Sequence, residues 1–329
     1  MKYLGSLLAV ALLAVPAMGQ PVVDGTLDVA DYGPALAVQN VQTQFGDNTD
    51  PLGFGGGGEL DAGYATISGG RLYVMLTGNV EPNFNKVSVF IDSVAGGENV
   101  LDGSLTYDFS DLAANFGGLT FDAGFEADYH LFGRWGGGAF ELDIVDRANS
   151  SAGAELGNFG AATVGVGTGV QSGTIAAGGT ATTGADAGTF LTQDVDFGFN
   201  NTNIAGVAGG TAAPTNPPED PASVLTGLEF SVDLADLGNP SPGDIIKIHA
   251  AYGNGDNNFH SNQFLGGIGP NSNLGGDGSG GFIGNLSGID FNNFQGDQFF
   301  TIAVPIPEPT SMVLFGLGLV GLGCSRRRS

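Results

Sequence analysis

Residues 62–78 read AGYATISGGRLYVMLTG, two short alternating runs on either side of the pair Gly69-Gly70. In the second run Leu72, Val74 and Leu76 share one face, and Tyr73, Met75 and Thr77 share the other. That is the two-residue period of an extended strand. Two glycines between two such runs predict a tight hairpin, because the favoured two-residue turns need positive φ at their centre. The next segment, KVSVFIDS at 86–93, repeats the alternation, with Val87, Val89 and Ile91 against Ser88, Phe90 and Asp92.

Working outward, GLTFDAGF (118–125), DYHLFGRW (128–135) and AFELDIVD (139–146) are further candidate strands. The last sets Phe140, Leu142 and Ile144 against Glu141, Asp143 and Val145, which predicts one buried and one mostly wet face. Ser110–Phe116 is the one stretch that reads as a short helix, with Ser110 as its N-cap. GLEFSVDL (227–234), DIIKIHAAY (244–252) and FFTIAV (299–304) restore the strand pattern late in the chain. Between them, residues 151–221 are dominated by Gly, Ala, Thr and Ser and end in PTNPPEDP (214–221), the composition of an extended linker. This region reads as a poorly packed insertion with a few strands, a decoration of the sandwich, with early and late strands pairing across it. The expected fold is all-β: an antiparallel sandwich of jelly-roll character with long glycine loops.

Composition agrees. Glycine supplies 59 of 329 residues, far above the usual ~7%. It weakens helices and serves turns. The 23 phenylalanines are enough to fill a core. With Lys2 and the three terminal arginines set aside, five basic residues face 34 acidic ones, a formal charge of −29. No basic stripe exists to neutralise phosphates, which excludes nucleic acid as a partner. The single cysteine, Cys324, lies in the C-terminal tail, so the body has no disulfide.

The chemistry-bearing residues are few. His130, His249 and His260 are the three histidines, and none sits in a zinc-binding spacing. Glu126 with Asp128, and Glu141 with Asp143, stand two apart and would share a strand face. No nucleophile elbow or P-loop is present. The loops GDNTDP and GNGDNN place Asp47, Asn48, Asp50, Asp256 and Asn257 beside glycines, an oxygen-rich setting that suits calcium, although neither completes an EF-hand. Trp135, before Gly136-Gly137-Gly138, and Tyr252, near Phe259 and His260, are the aromatics from which a glycan-stacking platform would be built; a place in the core is the competing reading for each.

The two ends carry addresses. MKYLGSLLAVALLAVPAMGQ has a positive start, an apolar run of 12 residues from Leu4 to Val15, and small residues Ala17 and Gly19 before Gln20. This is the layout of a secretory signal peptide over residues 1–19, cleaved before Gln20. At the other end Pro307-Glu308-Pro309 precedes an uncharged run of 13 residues, Met312–Cys324, then Arg326, Arg327 and Arg328. As a helix that run covers only ~20 Å of a ~30 Å hydrocarbon core, while the arginines resist translocation. The arrangement suits a weak, transient membrane anchor.

Pro-Glu-Pro, a short apolar helix and an arginine cluster, in that order, resemble the PEP-CTERM sorting signal over residues 305–329. The resemblance implies an exosortase-type membrane transpeptidase and the export machinery as partners, and bacteria with an exopolysaccharide system as the setting. VDGTLDVADYG (23–33), with Tyr32, followed by strands of which the third ends at Asp92, is similar to the opening of family-nine carbohydrate-binding modules and DOMON relatives. The rest of the body, including SNQFLGG and DFNNFQGDQFFTI, is similar to uncharacterised exported PEP-CTERM proteins. The expectation is a non-enzymatic envelope or matrix protein with a body at 20–304, structural or glycan-binding, with extracellular polysaccharide as a partner. A secreted carbohydrate-active enzyme is the alternative.

Overall fold

The computed structural model describes residues 19–39, 58–105, 115–151, 154–163, 170–178, 188–203, 220–258, 260–266 and 286–306. A four-residue helix, α1 (Val29–Tyr32), is followed by thirteen strands: β1 (Ala37–Val38), β2 (Glu59–Ser68), β3 (Arg71–Asn79), β4 (Lys86–Asp92), β5 (Tyr129–Gly136), β6 (Ala139–Ser151), β7 (Ala154–Thr163), β8 (Val170–Ile175), β9 (Val195–Asn200), β10 (Gly227–Asp233), β11 (Ile245–Gly253), β12 (His260–Leu265) and β13 (Phe300–Ala303). They form two antiparallel sheets. The first runs β1-β2-β3-β10-β9-β8. The second runs β12-β11-β4-β5-β6-β7, with β13 also on β11.

The β2–β3 hairpin forms as its sequence predicts. Ser68 pairs with Arg71, and Gly69 and Gly70 take φ of 60° and 83°, a turn that a side chain at either position would strain. Leu72, Val74 and Leu76 of β3 then meet Val87, Val89 and Ile91 of β4 between the sheets, joined by Phe140, Leu142 and Ile144 of β6 and Leu228, Phe230 and Val232 of β10. Both sides of the sandwich are closed. β7 lies against β8 on one side, and β12 against β2 on the other, where the Leu60 amide donates to Gln263 Oε1 at 3.0 Å.

Two expectations need correction. The outer faces are not wet. The second sheet turns Phe90, Phe132, Val145, Ala251 and Phe264 into a second core, covered by Leu101, Leu119, Phe121 and Phe125 from the β4–β5 connection and by Leu286 and Phe291 ahead of β13. The first sheet turns Tyr64, Tyr73 and Met75 outward under Leu27 and Tyr32 of the N-terminal segment. Alternation alone shows which face is more apolar; it does not show whether a loop will cover the other. The 118–125 segment belongs to this cover: it has turns and an isolated bridge at Thr120 rather than a strand.

The second correction concerns residues 151–221. They are not a decoration: β7, β8 and β9 lie in this stretch, and β9 pairs along β10 from Phe197↔Phe230 to Phe199↔Leu228. Ile175, Leu191, Val195, Phe197 and Phe199 are all in the central core. A few large side chains at alternate positions are enough to define a strand even where Gly and Ala dilute the average. The expected helix at 110–116 falls mostly outside the described residues.

Candidate functional site: a loop rim at one end of the second sheet

Register brings three loops together. Lys86 opens β4 opposite Gly253 of β11 on one side and Arg134 of β5 on the other, and Arg134 faces Glu141 of β6. The β3–β4 loop, the β5–β6 turn and the β11–β12 turn therefore share one end of the sheet. The two flanking turns are those that carry Trp135 and the GNGDNN segment, so the structure unites two clusters that are far apart in sequence.

The aromatics expected as stacking platforms are not available there. Trp135 is only 5% exposed and packs on Phe199 with ring centroids 5.7 Å apart, and Tyr252 is fully buried. Both are structural supports, because a large ring on the inward face of a sandwich strand fills the core. Burial also holds the Tyr252 phenol far above its ordinary range, helped by the nearby Glu81 charge. The exposed ring is Phe84, in the β3–β4 loop, at 48%. Its amide donates to the Trp135 carbonyl at 2.8 Å. Its ring lies against Gly136, where a Cβ would come within 2.4 Å of it. Phe84 has a φ of 70°, a conformation that costs a bulky residue of the order of 1–3 kcal/mol. The loop holds it there through Glu81, whose Oε2 accepts from Asn83 Nδ2 at 3.1 Å and Asn85 Nδ2 at 2.8 Å. Exposed Asn83 precedes the ring in sequence, and the β11–β12 turn that carries exposed Asp256 and Asn258 approaches it at Gly255, where a Cβ would lie 3.7 Å from the Phe84 Cβ. The signal for Phe84 was legible as a large apolar residue inside the turn-forming run PNFN, flanked by proline and asparagines.

Beneath the rim lies a buried charge layer. Arg134 Nε donates to Glu141 Oε2 at 2.5 Å. Lys86 is 2% exposed, and its ammonium is pushed down to about 8, first by burial and then by Arg134, with Asp256 and Asp143 pulling back. Glu141 is thus paired with Arg134, while Asp143 acts on Lys86 through its charge. Asp256 and Asn257 do not converge. Asp256 is exposed, whereas Asn257 is buried and its Oδ1 faces Gly253. Among the described residues no three Asp, Glu, His or Cys side chains are grouped to hold a metal. Asp47, Asn48 and Asp50 lie outside the described residues.

The other candidates separate similarly. Asp92 and Glu126 meet in an open pocket of about 450 Å³ with Asp244 and Lys247. Asp92 Oδ2 accepts from Lys247 Nζ at 2.7 Å and from the Glu126 amide at 3.0 Å. Asp128 instead turns to the Ser93 and Val94 amides. His130, His249 and His260 are buried in the outer half of the second sheet. Burial keeps His130 and His249 neutral, the latter at about 4, with Nδ1 of His249 2.6 Å from the Gln298 carbonyl oxygen. Asp61 and Glu229 are among the buried acids that the alternating pattern did not mark. Desolvation holds Asp61, hydrogen-bonded to Glu59 at a bulge in β2, well above the carboxylate range. Glu229 of β10 accepts from the Asp24 and Gly25 amides and from the Tyr32 hydroxyl at 2.9, 3.0 and 2.7 Å, and burial pushes its carboxyl up to about 7.

Gly19 is exposed, whereas Ala17 and the sorting residues Pro307, Glu308, Pro309 and Arg326–Arg328 lie outside the described residues. Among the described residues no helix is long and apolar enough to cross a membrane. No curated protein and no solved structure matches the chain. Residues 305–328 match the PEP-CTERM protein-sorting motif, which makes the chain an exported protein that carries the signal for an exosortase-type system.

Proposed function

We propose that the body is a non-enzymatic, glycan-binding module of the cell envelope or extracellular matrix, with a sugar ring stacked on Phe84. The observation that carries this reading is the Phe84 ring, which rests against Gly136 and is 48% exposed to solvent. A pyranose offers an apolar C–H face and a ring of hydroxyls. An aromatic side chain takes the first, and the amides and carboxylate of Asn83, Asn258 and Asp256 take the second. The strained backbone at Phe84 fits a residue kept for binding rather than for packing. Delivery to the envelope follows from the sorting motif, which begins at residue 305, directly after the last strand. Val304, before it, is still fastened to the body through the Asp244 carbonyl at 2.8 Å.

The test is a glycan array probed with the exported protein, with and without calcium, followed by titration of any positive polysaccharide. Phe84→Ala should weaken binding about tenfold, or ~1.4 kcal/mol, while leaving the melting temperature little changed, since the ring is half exposed and Ala must adopt the same positive φ. Binding that survives Phe84→Ala undiminished, or an array with no positive glycan, rules this reading out.

A further inference from the structure

The N-terminal segment is built into the molecule from its first described residues. Val23, Leu27 and Tyr32 pack on the outward face of β2 and β3, the Leu27 amide donates to the Leu225 carbonyl, and Gly25 accepts from Gly227. Gln20 closes this segment at an open cavity of about 350 Å³, lined also by Tyr73, Thr174 and Asp196. Its side-chain amide Nε2 donates to the Tyr73 hydroxyl. Immediately before it, Gly19 is exposed and rests on the Asp31 carboxylate: a Cβ there would meet Oδ1 at 2.3 Å. Backbone geometry then leaves Oδ1 within ~6 Å of the Gln20 nitrogen.

We infer that this corner is a seat for the mature N-terminus, formed when the chain is cut between Gly19 and Gln20, and that it protects Gln20 from closing into a pyroglutamyl lactam. The inference rests on the signal-peptide reading of residues 1–19 and is independent of glycan binding. Cutting there turns the Gln20 amide nitrogen into an α-ammonium beside the Asp31 carboxylate, with Asp196 at the far wall of the cavity. Lactam closure requires the neutral amine. Its nitrogen attacks the side-chain Cδ, the new N–Cδ bond closes a five-membered ring, the Cδ–Nε2 bond breaks, and ammonia leaves with the proton that the amine gives up. Asp31 opposes the first step by keeping the amine protonated. Tyr73 opposes the second by holding Nε2 out in the cavity, away from the backbone.

The experiment uses the exported protein recovered from the envelope. Mass spectrometry of its N-terminal peptide should show a chain that begins at Gln20 with its amide intact. On incubation at pH 7, below the ordinary α-amine range, loss of one ammonia should proceed about threefold faster in Asp31→Asn than in wild type, the size expected of a surface ion pair. Tyr73→Phe should accelerate it as well. Unfolding the wild-type protein in urea should give the same acceleration without any substitution, which guards against variants that fail to export. A terminus other than Gln20 overturns the cleavage reading and the seat with it. A Gln20 terminus that is already the lactam in wild type, or one that cyclises equally fast when folded and unfolded, leaves the cleavage standing and overturns the seat.

Discussion

Replacing Glu229 by glutamine isolates a single buried proton. In the folded chain burial holds this carboxyl at about 7 against an ordinary 4.5. The folded state therefore keeps a proton that the unfolded chain releases. The contribution to stability is fully present below the unfolded value and is lost as the pH rises through the folded one. The gap between 4.5 and about 7 corresponds to ~3 kcal/mol, of which about 2–3 kcal/mol falls between pH 5 and pH 8. Glutamine fits the site: its oxygen can accept from the Asp24 and Gly25 amides as Oε2 does now, and its NH2 can donate to the Tyr32 oxygen. The variant should match wild type at pH 5 and exceed it by about 2–3 kcal/mol at pH 8. Urea unfolding followed by the fluorescence of Trp135, the single tryptophan, measures this directly. Wild type alone is uninformative, because His249, held down at about 4 by burial, contributes stability above its unfolded 6.5 and loses it as pH falls. The two slopes oppose each other over nearly the same interval, and only the difference between variant and wild type separates them. Parallel pH profiles for the two proteins would refute the argument.

Three other outcomes are expected. Phe197→Ala, at a fully buried position of β9, should cost ~3–5 kcal/mol in a chemical melt, whereas Val170→Ser at the exposed start of β8 should stay within about 0.5 kcal/mol; a wild-type melt for Phe197→Ala would return residues 151–221 to the status of a decoration. Any rise in melting temperature that calcium gives beyond ionic-strength-matched sodium chloride should be unaltered by Asp256→Ala, because Asn257 beside it faces inward; loss of the rise in Asp256→Ala would place a calcium ion at this turn. Changing Arg326, Arg327 and Arg328 to Asn should impair processing, with mass spectrometry as the readout; envelope-exposed wild-type protein that still ends at Ser329 would contradict sorting by the tail.

Much of the architecture was legible because it follows from the two-residue period. Residues 62–93 gave a hairpin and a facing strand, and Leu72, Val74 and Leu76 went to the central core as their spacing required. What failed to show was anything decided by a distant loop. Asp143 reads as solvent-facing from its neighbours, yet it is buried beside Lys86, a residue 57 positions away. Trp135 and Tyr252 do stand at strand ends beside the right turns, but the face they occupy belongs to the core, and the exposed ring comes from the β3–β4 loop that crosses between the two sheets. Glu229 looks like the polar half of an alternating strand, and only the return of the N-terminal segment over it makes it a buried acid. The tail was fully legible, since a sorting signal is recognised as a linear string and needs no tertiary partner.

The position of β13 has a mechanical consequence. This strand is the last element before the tail, and it pairs with β11 over four residues, from Ile245↔Ala303 to Ile248↔Phe300. A membrane enzyme that engages the tail pulls on the Ala303 end of that ladder. Its rungs would open one at a time rather than together, beginning at Val304, which bonds Asp244 and Gly243, and stopping at Phe300, whose ring is sunk in the central core. Peeling four residues lengthens the tether by ~13 Å. The body is thereby fitted with a short reel that pays out line under load and rewinds when the tension ends, while the sandwich behind it stays shut.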